Sequence, residues 1–205
     1  MENQFLLFEE KPFTIVLGTD EAGRGPLAGP VCAACTVLPS DFPFECLDDS
    51  KKLSEKKRLY AENIIKEKAV AWAIAWATPQ EIDKINILNA SLMAMKRATE
   101  QVCTILESKG LKPEILLADG NKKPDVNLPC KAVVKGDATV HEIMAASILA
   151  KTARDRFMDA ADKRWPEYGF SKHKGYPTKE HLDALEKIGP CPIHRLTFSP
   201  LSLMH

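Results

Sequence analysis

The stretch FTIVLGTDEAGRGPLAGPVCAACTVL, Phe13 to Leu38, decides the fold. Phe13 to Thr19 is apolar and rich in β-branched residues, which predicts a buried strand. Gly23 to Pro30 is a Gly- and Pro-rich turn, and Val31 to Leu38 predicts a second strand paired with the first as a hairpin. Asp20 and Glu21 follow the first strand directly. Cys32 and Cys35 form a C-x-x-C, but positions three apart on a strand point to opposite faces, so both read as buried structural thiols.

Outward from this hairpin, Ser54 is a suitable N-cap for a helix running to about Lys68, with Leu59, Tyr60, Ile64 and Ile65 as its apolar face. Val70, Trp72, Ile74 and Trp76 alternate with alanines. That period of two predicts a strand with one bulky and one small face, the small one open to a closely packed helix. Both tryptophans read as core residues, not base-stacking platforms. Pro79 to Ile85 suits a short helix and Asn89 to Ser108 a longer one, closed by Gly110; Met93 and Met95 read as its core side. Glu114 to Ala118 and Cys130 to Val134 predict short strands. Val140 to about Arg164 predicts a long helix, Thr178 to Ile188 a last one, and a Pro-rich tail follows. The order β-β-α-β-α-β-β-α-α predicts an α/β domain with a mixed sheet.

Composition bounds the function. The chain has 205 residues, 45% hydrophobic and 27% charged, with a formal net charge of +0. These values exclude intrinsic disorder and argue against a protein that coats nucleic acid by bulk charge. No apolar run approaches the length of a membrane span. The N-terminus, MENQFLLFEEKPF, lacks a basic region before an apolar core and does not read as a secretory signal. The cysteines are too sparse for a disulfide scaffold, so the expected compartment is cytoplasmic.

Chemistry gathers at strand ends. Asp20 and Glu21 follow the first strand, Asp119 follows EILLA, and Asp137 follows KAVV after Lys135-Gly136. In open α/β sheets, ligands bind beyond the carboxyl ends of strands. Acids brought together there repel and call for a cation, and hard oxygen ligands favour Mg²⁺ or Mn²⁺ over Zn²⁺. Two such ions about 3.5–4 Å apart serve phosphodiester hydrolysis. A single acid after a strand is more often a turn former. The run D-E-A-G-R-G-P-L-A-G-P is more specific. Gly23 and Gly25 flank Arg24, so backbone N–H groups can face an anion while Arg24 offers a planar fork. A plain hairpin turn explains the glycines but not the acids beside them.

With these residues in hand, the sequence closely resembles the prokaryotic type 2 ribonuclease H family, ribonuclease HII. The resemblance rests on Asp20 to Pro30, on D-S-K-K-L-S at Asp49 to Ser54, on A-D-G-N at Ala118 to Asn121 and on K-G-D-A at Lys135 to Ala138. It continues through A-A-S-I-L-A-K at Ala145 to Lys151, R-D-R at Arg154 to Arg156, H-K-G-Y at His173 to Tyr176 and G-P-C-P-I-H-R at Gly189 to Arg195. It spans nearly the whole chain.

The resemblance implies an RNase H-like mixed five-stranded sheet flanked by helices in a single catalytic domain over residues 1–205, with a helical C-terminal extension from about 166 to 205. It implies hydrolysis of RNA paired to DNA and incision 5′ of ribonucleotides embedded in duplex DNA, giving 3′-hydroxyl and 5′-phosphate ends. The implied catalytic and metal-binding acids are Asp20, Glu21, Asp119 and Asp137, holding two Mg²⁺ or Mn²⁺ ions; Asp20, nearest the end of the central strand, is the candidate for the bridging ligand. Gly23, Arg24, Gly25 and Tyr176 are the implied substrate-binding residues. Ser50 and Lys51 sit in a family motif and could touch a phosphate. Pro177, where the family often has Gly, stiffens the loop behind Tyr176; Cys191, often Ser, lies in a segment with no evident catalytic role.

Lys56, Lys57 and Arg58 read as a solvated helical face. Lys172 and Lys174, beside His173 and Tyr176, form a basic cluster with an aromatic that could grip a nucleic-acid strand. Lys151 and Arg154 share a helical face with either structural or phosphate-binding use. His141 and His194 read as structural and outside any cluster. The expected partners are RNA–DNA hybrid and ribonucleotide-containing duplex, with a monomeric protein; a sliding-clamp tether in the tail LTFSPLSLMH has no support. Two other readings are weaker. A type 3 ribonuclease H would carry an extra N-terminal binding domain, whereas few residues precede the first strand here. A catalytically silent hybrid-binding module would not need all four acids.

Overall fold

The computed structural model describes residues 15–48, 50 and 52–203. Five strands form one sheet: β1 (Val16–Ala22), β2 (Val31–Val37), β3 (Ala71–Ala77), β4 (Ile115–Asp119) and β5 (Cys130–Val133), in the order β3-β2-β1-β4-β5. β1, β2 and β3 are antiparallel neighbours, while β4 runs parallel to β1 and to β5. Phe13 and Thr14 of the expected first strand lie outside the described residues. At its other end that strand extends past the expected boundary through Asp20, Glu21 and Ala22, with Asp20 opposite Ala34 and Glu21 opposite Ala33. The acids are therefore ladder residues of β1, paired with β2, not members of the following turn.

The helices are α1 (Glu55–Lys68), α2 (Pro79–Ser108), α3 (His141–Arg164), α4 (Phe170–His173) and α5 (Lys179–Ile188). The Ser54, Thr78 and Thr178 hydroxyls cap α1, α2 and α5, and Thr78 forms a capping box with Glu81. α2 holds the two helices expected over 79–108, separated at Asn86, whose backbone is non-helical with φ 66°. The Asn86 side chain accepts from Asn89 N–H and starts the second half. The short α4 had no helical signal in sequence.

The alanine face of β3 is the buried one. Ala71, Ala73 and Ala75 lie against Ala98, Val102 and Leu106 of α2, so small side chains allow the close approach that their spacing predicts. α1 and α3 cover the opposite face. Cys32 and Cys35 fall into these two different layers, both fully buried. On α1 the expected apolar face is partly wrong. Leu59 and Tyr60 are exposed, while Ala61, Glu62 and Ile65 are buried. Glu62 tolerates burial because Arg156 of α3 chelates both its oxygens, at 2.5 and 2.6 Å, and Lys66 pairs with it at 2.7 Å.

One glycine sets the spacing between layers. A Cβ on Gly18 would lie 2.3 Å from the backbone carbon of Glu142. The start of α3 therefore presses directly on β1, a contact tied by Thr36 Oγ1 donating to the Glu142 carbonyl at 2.7 Å. This brings Ser147, one and a half turns further along α3, over Asp20. The C-terminal segments pack on a separate cluster with Leu27, Ala28, Met158, Tyr168, Phe170 and Leu185. Among the described residues, no helix is long and apolar enough to cross a membrane.

Candidate active site

The parallel pairing of β1 with β4 sets Thr19 beside Ala118, so Asp20 and Asp119 emerge side by side. Beyond β5 the chain turns through Lys135, which takes a left-handed conformation with φ 58°, into a single 3₁₀ turn, Gly136–Ala138. That turn returns Asp137 to the other two acids, and its N–H donates to Asp119 Oδ1 at 3.2 Å. Gly136 suits this close turn, since a Cβ would stand 2.5 Å from Ile143 Cδ1 and 3.3 Å from Asp119 Oδ1, and the Ile143 side chain would have to shift. Carboxylate oxygens of Asp20, Asp119 and Asp137 all lie within 4.8 Å of one another.

Burial, and then the charges of Glu21 and Asp119, push the Asp20 carboxyl well above the usual carboxylate range. Burial also raises Asp119, with Asp137 adding to it. Glu21 is raised by burial, with Arg24 opposing. Carboxyls that resist ionising together hold their charge once a cation lies between them. An all-carboxylate donor set suits a hard divalent ion. Glu21 stands apart from the three aspartates, because neighbours on a strand face opposite ways. Its carboxylate pairs with Arg24 at 3.2 Å on the side toward Asn121 and Lys122.

Asp20, Glu21 and Asp119 form one wall of a cavity of about 310 Å³ that also takes in Gly23, Arg24, Gly25, Ser50, Ser147, Lys151, Arg154 and Tyr176. Ser50 is buried, its hydroxyl 2.9 Å from that of Ser147. Lys51 lies outside the described residues. Arg58, expected on a solvated face, instead donates to the Ser50 and Leu53 carbonyls at 3.0 Å and secures this loop. Lys151 pairs with Asp155 at 2.6 Å. Lys172 pairs with Glu180 and Lys174 with Asp159.

Tyr176 is 46% exposed at the cavity mouth, its ring edge against Gly25. Its backbone is fixed by a histidine relay with no sequence signal. Cys191 N–H donates to His194 Nδ1 at 2.9 Å, which leaves the proton on His194 Nε2. That nitrogen donates to His181 Nε2 at 3.0 Å, and His181 Nδ1–H donates to the Tyr176 carbonyl at 2.9 Å. His173 stacks on His181 with ring centroids 4.6 Å apart. His194 thus belongs to a cluster, contrary to expectation, whereas His141 stacks singly on Phe44.

Burial, then His181, lowers the His194 pKa to about 4. A histidine depressed in the folded state contributes stability above its unfolded pKa, about 6.5, and loses it as pH falls toward 4. The melting temperature should therefore drop across this window by the equivalent of up to about 3 kcal/mol. In His194→Gln the pH dependence should be shallower. Parallel curves from differential scanning calorimetry would refute this.

The fold is that of the ribonuclease H-type nucleases. The structure aligns with the ribonuclease H2 of Pyrococcus horikoshii at TM-score 0.69 and 24% identity, covering 93% of this chain and 97% of that one. It aligns with Bst-RNase HIII in complex with Mn²⁺ at TM-score 0.68 and 15% identity, covering 92% of this chain and 68% of that one. Sequence narrows the class: the profile of the family described as ribonuclease HII matches residues 17–200. The ribonuclease HII of Idiomarina loihiensis is 54% identical over 187 residues, 91% of this chain and 96% of that protein. The chain belongs to the ribonuclease HII family, endonucleolytic hydrolases that act on RNA in RNA–DNA hybrids.

Proposed function

We propose that this protein incises duplex DNA on the 5′ side of an embedded ribonucleotide as well as cleaving longer RNA–DNA hybrids, leaving 3′-hydroxyl and 5′-phosphate ends. The observation that carries the reading is the convergence of three aspartates, Asp20, Asp119 and Asp137, with oxygens within 4.8 Å of one another, where Asp20 and Asp119 line the cavity shared with the Gly23–Gly25 loop and Tyr176. Asp20, Asp119 and Asp137 would hold Mg²⁺ or Mn²⁺, with Glu21 as the fourth acid of the site. When bound, two such ions activate the attacking water and offset charge on the leaving 3′-oxygen. The Mn²⁺ complex of Bst-RNase HIII supports that ion choice by fold analogy.

The chain's own groups do the selecting. Glycine at 23 and 25 lets the backbone approach a ribose 2′-hydroxyl, the group that separates RNA from DNA. Arg24, Ser50 and Lys51 contact flanking phosphates. The Tyr176 ring lies against the sugar of the nucleotide that follows. The protein acts as a monomer. The test is cleavage of a labelled duplex carrying one ribonucleotide, with Mg²⁺, Mn²⁺ or EDTA, and mass analysis of the ends. Metal-dependent incision 5′ of the ribonucleotide is expected. Equal cutting of an all-DNA duplex, or cutting in EDTA, would overturn the reading.

A further inference from the structure

The tail motif ending in Arg195 has no place in the chemistry described so far, yet its guanidinium lies at the heart of the loop that faces the substrate. Arg195 is fully buried, and so is Arg154. Among the described residues neither forms a salt bridge, although Asp83 acts on Arg195 and Asp155 on Arg154 through charge. An unpaired buried cation is costly unless every donor is used. Arg195 uses its fork on backbone oxygens: Nη2 donates to the Gly23 carbonyl at 2.6 Å, Nη1 to the Arg24 carbonyl at 2.9 Å and Nε to the Gly29 carbonyl at 2.9 Å. The Phe198 ring lies 5.1 Å from its Cζ and fixes the plane. Burial, then the neighbouring Arg154 charge, lowers its pKa to about 9, so it remains cationic at neutral pH.

The choice of carbonyls matters. The Gly23 C=O shares a peptide plane with the Arg24 N–H, and the Arg24 C=O shares one with the Gly25 N–H. Both peptides are trans, so these N–H groups point away from the guanidinium. Among the described residues neither N–H donates to any protein group, and both residues line the cavity. A cation bound to a carbonyl draws electron density through the amide and strengthens the N–H as a donor.

We propose that Arg195 is a positioning residue for ribose recognition, orienting and polarising the Arg24 and Gly25 N–H groups that meet the 2′-hydroxyl. This rests on the reading of the Gly23–Gly25 loop given under Proposed function. Arg195 touches no substrate and acts only through two peptide groups. Lysine at this position keeps the charge but cannot span the Gly23 and Arg24 carbonyls together.

The test compares wild type, Arg195→Lys and Arg195→Gln. It measures kcat/KM on a duplex with one ribonucleotide and the inhibition constant of the matching all-DNA duplex as competitor. Arg195→Lys should lower kcat/KM about tenfold, and Arg195→Gln more, because charge-assisted hydrogen bonds are lost. The all-DNA inhibition constant should not change, so discrimination shrinks in that order. Retained discrimination in both variants, or equal weakening toward both duplexes, overturns the role of Arg195. If wild type itself fails to discriminate, the reading of the loop falls instead. Should both variants unfold, NMR of wild type decides. The Arg195 side-chain N–H resonances should shift with those of Arg24 and Gly25 when the ribonucleotide duplex binds, and stay put with all-DNA duplex. An unmoved guanidinium overturns the proposal.

Discussion

Asp119→Asn should cost at least about 10³-fold in cleavage at saturating Mg²⁺ while leaving the fold intact. Asparagine matches aspartate in shape, and its carbonyl oxygen can still accept from Asp137 N–H, the contact now 3.2 Å long. What it loses is the charge that holds a divalent ion among three convergent oxygens. The stability effect has the opposite sign. Burial raises the Asp119 pKa, so its contribution is fully present below the unfolded carboxylate range and lost as pH rises through the folded value. At neutral pH, without metal, the native protein therefore carries an uncompensated carboxylate, and Asp119→Asn removes it. In EDTA the variant should melt at a higher temperature than wild type. Adding Mg²⁺ should raise wild type and leave the variant nearly unmoved. Single-turnover cleavage with calorimetry at several pH values checks both parts. Near-wild-type cleavage by the variant would show that Asp119 is not a metal ligand.

Much of this site is legible in sequence because short-range rules carry it. Alternation of Ala with Trp, Ile and Val marks β3, hydroxyl caps at Ser54 and Thr178 mark two helix starts, and Asp119 and Asp137 follow apolar runs. The boundary of β1 escapes the same rules, since Asp20 and Glu21 look like turn residues until β2 pairs with them. The supports of the site are harder still. The burial of Glu62 has no mark in the local sequence, because its partner Arg156 lies far along the chain. Arg195 reads as a tail residue until its fork reaches carbonyls 171 and 172 positions away. The histidine relay joins residues from three separate segments. No local pattern encodes such contacts, because each depends on how distant elements pack. The family motifs hold Arg156, His173, His194 and Arg195 but not Glu62 or His181, and only the packing gives any of them work.

Tyr176→Ala should lower incision at a single embedded ribonucleotide by about thirtyfold, equivalent to about 2 kcal/mol of lost ring contact. The ring is half exposed in a loop that the structure otherwise holds rigid. Its N–H donates to the His173 carbonyl at 2.9 Å, and its carbonyl accepts from His181. Pro177 follows, fixing φ at the next residue. A tyrosine whose backbone is pinned while its side chain faces the cavity suits contact with a ligand better than closure of a core. Tyr176→Phe keeps the ring and should lose only a few fold. A flat ring packs on deoxyribose, whereas a 2′-hydroxyl would crowd it, so the loss should be greater at a ribonucleotide–DNA junction than within a long hybrid. Gly25→Ala supplies an independent check. Its Cβ would stand 3.2 Å from Tyr176 Cε1, displacing the ring by a few tenths of an ångström without removing it. It should therefore bias substrate choice in the same direction as Tyr176→Ala, by a smaller factor. Kinetics of the three variants on both substrates, beside their melting temperatures, decide the matter. Equal losses on the two substrates, accompanied by lowered melting temperatures, would make Tyr176 a packing residue.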